Sequence, residues 1–274
     1  MCDRGKLLLA AIVFYYKVTA GSAKLDMAPN AVDYMYNGCR EEAMENFIHS
    51  GLLRQELNNS KEFQKAWDAD TRCLKLIPGG TKEHTAALLA YADWDEDGNT
   101  FDNAVETLGG NENIYEKQFH FKALHFLLMD SMLLLSTKKC TTLYAVQEKE
   151  YTAQKGSKVR FGRFAKVHSS VSKLMVDLHR QVLFNITSCF FANLGDNICS
   201  QDQSMTLISP AEVFTVEAVN EKTEDDSEFT EIVLKHSELD SSHNCYSLSG
   251  SPADVSTKWL VLMLVALSLF FFNY

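Results

Sequence analysis

The sequence predicts an α+β fold, a helical N-terminal half packed on a β-rich C-terminal half. Three observations carry it. Up to about residue 136 the apolar residues recur at three- and four-residue spacing. From residue 140 to about 235 they fall into short β-branched and aromatic runs divided by turn residues. No internal repeat or low-complexity linker separates the two halves. Helices first and strands after, in one unit, read as α+β rather than as an alternating sheet.

The helical elements come in order. Residues 40–48 form a short amphipathic run ending at Ser50-Gly51, a C-cap signal. Ser60 caps a helix to about Lys75, with Phe63, Ala66, Trp67 and Leu74 on one face. Pro78-Gly79-Gly80 ends that unit. Residues 83–91 form a third helix with Leu88 and Leu89 inward. Thr100 caps a fourth, whose Phe101, Val105 and Leu108 share a face until Gly109-Gly110 stops it. The fifth, residues 115–136, is apolar on most faces from Ala123 to Leu135, the mark of a core helix. Asp130 and Ser131 interrupt it and argue against a membrane span.

Strands are expected at residues 141–146, 158–164, 182–191, 206–219 and 229–235. A helix over 170–181 interrupts them, with Leu174, Met175 and Leu178 inward. The charged run 221–228 reads as a solvated turn.

The two ends differ in kind from the middle. Residues 1–23 read as a secretory signal peptide: Arg4 and Lys6 precede a short apolar run, and Gly21-Ser22-Ala23 offers a cleavage site. Residues 259–272 are almost wholly apolar, yet shorter than the roughly 20 residues that span a bilayer. Small residues around Ser249 and a polar spacer precede them. This is the pattern of a GPI-anchor signal with attachment at Ser249; a retained tail-anchor helix is the alternative. The expected organisation is a leader over 1–23, an ectodomain over 24–249, and a removed propeptide over 250–274.

Cysteine use fits a secreted ectodomain. Of seven cysteines, Cys2 falls in the leader, leaving Cys39, Cys73, Cys140, Cys189, Cys199 and Cys245. Two sequons place N-glycans at Asn58, in a polar loop, and at Asn185, in a β-like run where shielding is expected. The formal net charge of -10 argues against a nucleic-acid partner.

A scan for chemistry finds little. There is no G-x-S-x-G, H-E-x-x-H, C-x-x-C or phosphate-cradling glycine loop. Asp93, Asp95, Asp97 and Gly98 match the opening of a calcium loop, but Ala104 stands where the closing glutamate belongs, so a solvated acidic loop is the better reading. His120 and His125 are not at metal-ligand spacing. No metal is expected.

Several stretches together carry a resemblance: A-L-L-A-Y at 87–91, F-D-N-A-V at 101–105, F-K-A-L-H-F-L-L at 121–128, C-T-T-L-Y at 140–144, V-R-F-G-R-F-A at 159–165, L-I-S-P-A-E-V-F-T-V at 207–216 and H-N-C at 243–245. In these the chain resembles the GPI-anchored ecto-mono-ADP-ribosyltransferases, which use NAD to modify arginine. The resemblance implies that family's fold, NAD as co-substrate, and disulfides Cys39–Cys245 and Cys140–Cys189. Cys73 and Cys199 remain as a third pair or free thiols. It also implies NAD contacts at Tyr144, Arg160 and Gln203, and partners at the outer leaflet, through the lipid anchor, and among surface or secreted proteins.

The family's reaction breaks the bond between nicotinamide and ribose, and a cation develops on the sugar. By resemblance it supplies an Arg after the Tyr of its first β-run, a Ser two residues after the Phe of its second, and a Glu-x-Glu before Leu-Ile-x-Pro. Here those positions hold Ala145, Lys166, and Gln203 with Met205. A methionine carries no charge to place against an oxocarbenium ion. Asp202, Glu212, Ser169 and Ser170 lie nearby, but using them in strands needs a register slip that turns every side chain to the other face. The expectation is a surface relative that has lost transfer and acts as a binding or decoy protein; the alternative is an active transferase using Asp202 or Glu212.

Overall fold

A computed structural model describes residues 23–68, 75–94, 100–137, 139–148, 150–174, 178, 181–199, 202, 204–224, 227–241 and 245. Residues 1–22, where the leader is expected, Cys73, Ser249 and the apolar run 259–272 lie outside these residues. Among the described residues no helix is long and apolar enough to cross a membrane.

The chain is α+β, as the order of its apolar patterns predicts. The helices are α1 (Arg40–Ala43), which runs into a π-helical turn (Met44–His49), α2 (Leu52–Asn59), α3 (Lys61–Asp68), α4 (Lys82–Asp93), α5 (Thr100–Thr107), α6 (Glu112–Gln118), α7 (Lys122–Leu135) and the short α8 (Leu194–Asn197). The strands are β1 (Ala23–Lys24), β2 (Thr141–Gln147), β3 (Tyr151–Thr152), β4 (Lys158–Val159), β5 (Ala165–His168), β6 (Val182–Ser188), β7 (Phe191–Asn193), β8 (Met205–Ile208), β9 (Glu212–Glu224) and β10 (Ser227–Leu239). β1 pairs with β3, and the rest form one 8-stranded sheet in the order β4-β9-β10-β6-β2-β5-β8-β7. In that sheet β10 and β6 run parallel and the other neighbours antiparallel.

Two apolar cores flank the sheet. The larger joins the helices to Phe164, Ala192 and Leu207; the smaller, on the other face, gathers Leu143, Val167, Phe184, Ile208 and Phe214. α7 sits at the centre of the first, with every residue from Ala123 to Met132 buried. That burial includes a carboxylate, Asp130. Arg40 grips it through two hydrogen bonds, at 2.6 and 2.8 Å, and His84 Nε2 lies 2.8 Å away. Burial alone would raise the Asp130 pKa, but these bonds from His84 and Arg40 outweigh it and hold the group below its ordinary value. A second buried pair fastens the ends of the domain. Arg160 Nη1 donates to Asp33 at 2.6 Å and to the Asp240 carbonyl at 3.2 Å, and Nε donates to the Met27 carbonyl at 2.9 Å.

The sequence expectation fails where a tertiary partner or a single backbone angle decides. The fifth predicted helix is two, α6 and α7, with a break at Phe119–Phe121. α7 restarts there because buried Glu56 of α2 accepts the backbone N–H groups of Lys122 and Ala123 at 2.7 and 3.0 Å, answering the unmet donors of a helix N-terminus. The predicted strand over 158–164 stops at Val159, since Gly162 takes a φ of 74° with Ala28 against it. The strand expected at 182–191 divides into β6 and β7, and that at 206–219 into β8 and β9. Of the helix expected over 170–181, Val171–Leu174 form a 3-10 turn, and residues 175–177 and 179–180 lie outside the described residues. The charged run 221–228 belongs to the β9–β10 hairpin, which pairs out to Glu224 opposite Ser227.

The disulfides implied by resemblance are present, Cys39–Cys245 and Cys140–Cys189. Cys199 is disulfide-bonded as well, which removes the free-thiol alternative for it. Asn58 lies in the last turn of α2, not in a loop, and is exposed. Asn185 lies mid-strand in β6 between β2 and β10, the β-run expected for it, and its amide donates to Glu231 at 3.3 Å.

His125 in α7 is enclosed. Its Nε2 must donate to the Val32 carbonyl at 2.9 Å, which leaves Nδ1 to accept from the Tyr36 hydroxyl at 3.0 Å. Burial lowers its pKa from 6.5 to about 4. Between those values the unfolded chain binds the proton and the folded chain does not, so His125 costs stability increasingly as pH falls from 6.5 towards 4. Glu56, raised by burial to about 8, works with the opposite sign above 4.5, so the His125 contribution is read as a difference. We expect the destabilisation caused by His125→Gln to be smaller near pH 4.5 than near pH 7 by about 2 kcal/mol. Urea unfolding of both proteins at the two pH values checks this.

Candidate functional site

The sheet parts at one place. β2 and β5 meet at a single register pair, Tyr144 opposite His168, while β2 pairs along its length with β6 and β5 along its length with β8. Beyond Tyr144 the end of β2 and the start of β5 diverge. Ala145 and Gln147 line one lip of the gap and Ala165 and Lys166 the other, with Tyr91, Asp102, Arg163 and Phe164 closing it. The cavity left between them is ≈ 40 Å³.

Polar contacts cross this gap. Lys166 Nζ donates to the Trp94 carbonyl at 2.5 Å and stands 5.3 Å from the centre of the Tyr91 ring. The Tyr91 hydroxyl lies 3.0 Å from Asp102 Oδ1 and 2.9 Å from the Phe164 carbonyl. Arg163 Nη2 donates to Gln147 Oε1 at 3.4 Å, from one lip to the other, and Nε lies 3.5 Å from Glu106. Burial works against the Arg163 charge, yet Asp102 and Glu106 more than offset it, and its pKa is raised.

The strand pattern sets which predicted positions meet. Lys166 is opposite Leu207 and His168 opposite Met205 across β5 and β8, so these four share the face towards the helices. Met205 packs half-buried against the helical core. Ala145 is opposite Phe184 and belongs to the other core. Tyr144, one of the expected NAD contacts, stands at the last pairing before the gap. Arg160, another, does not line the cavity; the buried pair with Asp33 holds it elsewhere. Gln203, Asp95, Asp97 and Gly98 lie outside the described residues. Ala104 is buried in α5, and Glu62 spans the ends of that acidic loop, accepting from Trp94 Nε1 at 2.7 Å and Thr100 at 2.9 Å. Among the described residues no group of His, Cys, Asp and Glu is placed to hold a metal.

The nearby carboxylates are already engaged. Glu212 is fully buried and accepts from the Ser188 hydroxyl at 2.7 Å and from the Cys189 and Phe190 N–H groups at 2.9 and 3.2 Å, with His236 Nδ1 at 2.7 Å. Burial pushes its pKa above the ordinary carboxylate value against the pull of these bonds. It organises the β6–β7 turn beside Cys189 and does not face the gap. Asp202 turns on its own loop: Oδ1 accepts from the Ser204 N–H and hydroxyl at 2.8 and 2.6 Å, and Oδ2 lies 3.4 Å from His168 Nδ1.

Sequence reasoning singled out Ala145 and Lys166 but not Tyr91, Asp102, Arg163 or Gln147. Tyr91 and Arg163 stood inside the stretches that carried the resemblance, yet nothing in their spacing separates a cavity-lining side chain from a packed one. As it stands the gap does not fit NAD. Its volume of ≈ 40 Å³ is far below the roughly 300 Å³ at which small-molecule pockets begin, and the arginine expected at position 145 is an alanine.

Comparison with known proteins agrees with the fold. A profile of the family described as NAD:arginine ADP-ribosyltransferase matches residues 25–242. Mouse ecto-ADP-ribosyltransferase 4 is 27% identical over 288 residues, covering 96% of this chain and 93% of its own. Rat ecto-ADP-ribosyltransferase 5 is 30% identical over 247 residues, covering 82% and 77%. The crystal structure of the eukaryotic mono-ADP-ribosyltransferase ART2.2 superposes with a TM-score of 0.65 at 27% identity, over 82% of this chain and 99% of that one. A mutant of ART2.2 with a glutamate changed to isoleucine, crystallised in complex with NAD, superposes with a TM-score of 0.62 at 28% identity.

The role read for Glu212 is structural, and its removal measures that. Glu212→Ala leaves buried donors without an acceptor and should lower the unfolding free energy by about 3 kcal/mol. Urea denaturation measures it; a loss within a few tenths of a kcal/mol would show that the buried network does not hold the turn.

Proposed function

The chain belongs to the NAD:arginine ADP-ribosyltransferase family, and from that premise we propose that it is a cell-surface member that no longer transfers ADP-ribose. The observation that carries this reading is Met205. It stands where the family's sugar-cation glutamate is expected by resemblance, and its side chain packs against the helical core. A preorganised charge aimed at the developing cation commonly supplies about a hundred- to a thousandfold in rate. Glu212 is held by four donors away from the gap, and Asp202 caps its own loop. Loss of the glutamate alone does not argue against NAD binding, since the ART2.2 mutant that lacks a glutamate is described in complex with NAD. The closed gap and the alanine at position 145 are what argue against it here.

The work left to such a protein is contact. The relatives are ecto-enzymes by name, and the small residues near Ser249 followed by an apolar tail support attachment to the outer leaflet through a GPI lipid. A domain fastened by disulfides and displayed there serves as a binding or decoy partner for surface or secreted proteins.

A second reading has one observation behind it. Asp202 lies beside His168, which faces Met205 across the strands, so an anion is close to the vacated position. In that reading the chain is an active transferase and Asp202→Asn abolishes turnover.

Two measurements decide. Full-length protein on cells should release nicotinamide from NAD no faster than cells without it; turnover that disappears in Asp202→Asn replaces the first reading with the second. Phosphatidylinositol-specific phospholipase C should free the protein into the medium, whereas a retained tail helix would keep it in the membrane pellet.

A further inference from the structure

The gap between β2 and β5 has an apolar floor from the smaller core and is crossed by particular polar contacts, and the geometry points to Lys166 as the residue that shuts it. We rest this on the reading above, in which NAD is no longer used. Its side chain leaves β5 at the diverging lip, on the face shared with His168 and Met205. The ammonium reaches the Trp94 carbonyl at the end of α4, at 2.5 Å, and sits over the Tyr91 ring. Tyr91 is itself tied to the Phe164 carbonyl, two residues before Lys166. Sheet edge and helix end are therefore stitched through one cation.

The physical chemistry favours this closed arrangement. A carbonyl at the end of a helix is an unmet acceptor with partial negative charge, and a lysine is the charged partner that such a group takes. The ring face adds attraction for the same ammonium, stronger in a half-buried site than in water. The alkyl stem covers apolar surface while the head reaches its acceptor. A serine, the residue expected here by resemblance, has neither the length nor the charge to make these contacts.

Lys166 is thus a specificity-determining residue that excludes a dinucleotide from a cleft whose frame is otherwise retained. The frame consists of the β2–β5 parting, Tyr144 at its apex, and the Tyr91–Asp102–Arg163 wall. Shortening the side chain should release the helix end and widen the gap without disturbing the buried pairs at Arg160 and Asp130, which lie outside it. A closed state that dominates lowers apparent affinity by the fraction of molecules that are open, so removing the tie raises it by the inverse.

The test uses the full-length protein purified in detergent, with equilibrium dialysis against labelled NAD. Lys166→Ser is expected to bind NAD about tenfold or more tightly than the unaltered protein, while keeping a single cooperative melting transition. Equal, negligible binding by both folded proteins overturns the closure by Lys166 and leaves the proposed loss of NAD use standing. Strong binding by the unaltered protein overturns both. An independent measurement needs no variant: on brief amine acylation of the native protein, Lys166 should react about tenfold more slowly than exposed Lys82. Equal rates of modification would mean that the ammonium is not tied to Trp94, and the proposal would fail even if Lys166→Ser did not fold.

Discussion

One backbone pairing governs the architecture of this protein. Tyr144 opposite His168 joins the two parts of the sheet, and past it β2 and β5 separate because each is committed to another neighbour, β2 to β6 and β5 to β8. A sheet that parts in its middle exposes backbone edges on both lips, and unpaired donors and acceptors there must find partners. The helical layer supplies cover through α4 and α5. The site therefore exists because of hydrogen-bond topology, before any particular side chain is placed in it. That is how a parted sheet can form whatever side chains stand at Ala145, Lys166 and Met205.

The groups that hold the frame are different residues from those that would do the chemistry. Asp130 with Arg40 and His84, Arg160 with Asp33, and Glu212 with Ser188 and His236 are buried, hydrogen-bonded groups; the bonds outweigh desolvation at Asp130, whereas burial prevails at Glu212. None of these lines the gap. Changing Ala145, Lys166 or Met205 does not touch these networks, and a cleft can lose its reaction while its scaffold stays intact. Breaking a frame ion, by contrast, leaves a buried charge uncompensated.

Much of this was legible from residue patterns. Periodicity located α4, α5 and α7, and the enclosed α7 followed from a run apolar on every face. β-branched runs located β2, β6 and β10. The misreadings share one cause. The pattern over 115–136 gave no sign of a break, yet Glu56 is the acceptor that restarts α7 sixty-six positions later. Gly162 looked like an interior strand residue, yet its positive φ ends β4. Arg160 looked like a ligand contact because of the stretch it stands in, yet an aspartate far away in sequence takes its charge.

The sequence by itself determined the order of helices and strands, the alternation of faces along each strand, two of the cysteine pairs through the family likeness, and the identity of the residues at the family's motif positions. These are local or one-dimensional properties, set by spacing and residue type. The tertiary structure alone decided that β2 and β5 part, that Glu212 is already engaged, that Arg160 is a fastener, and that the ammonium of Lys166 reaches Trp94. Each of these depends on which groups far apart in the chain compete for the same hydrogen bonds, and that competition is resolved only when the chain has closed on itself.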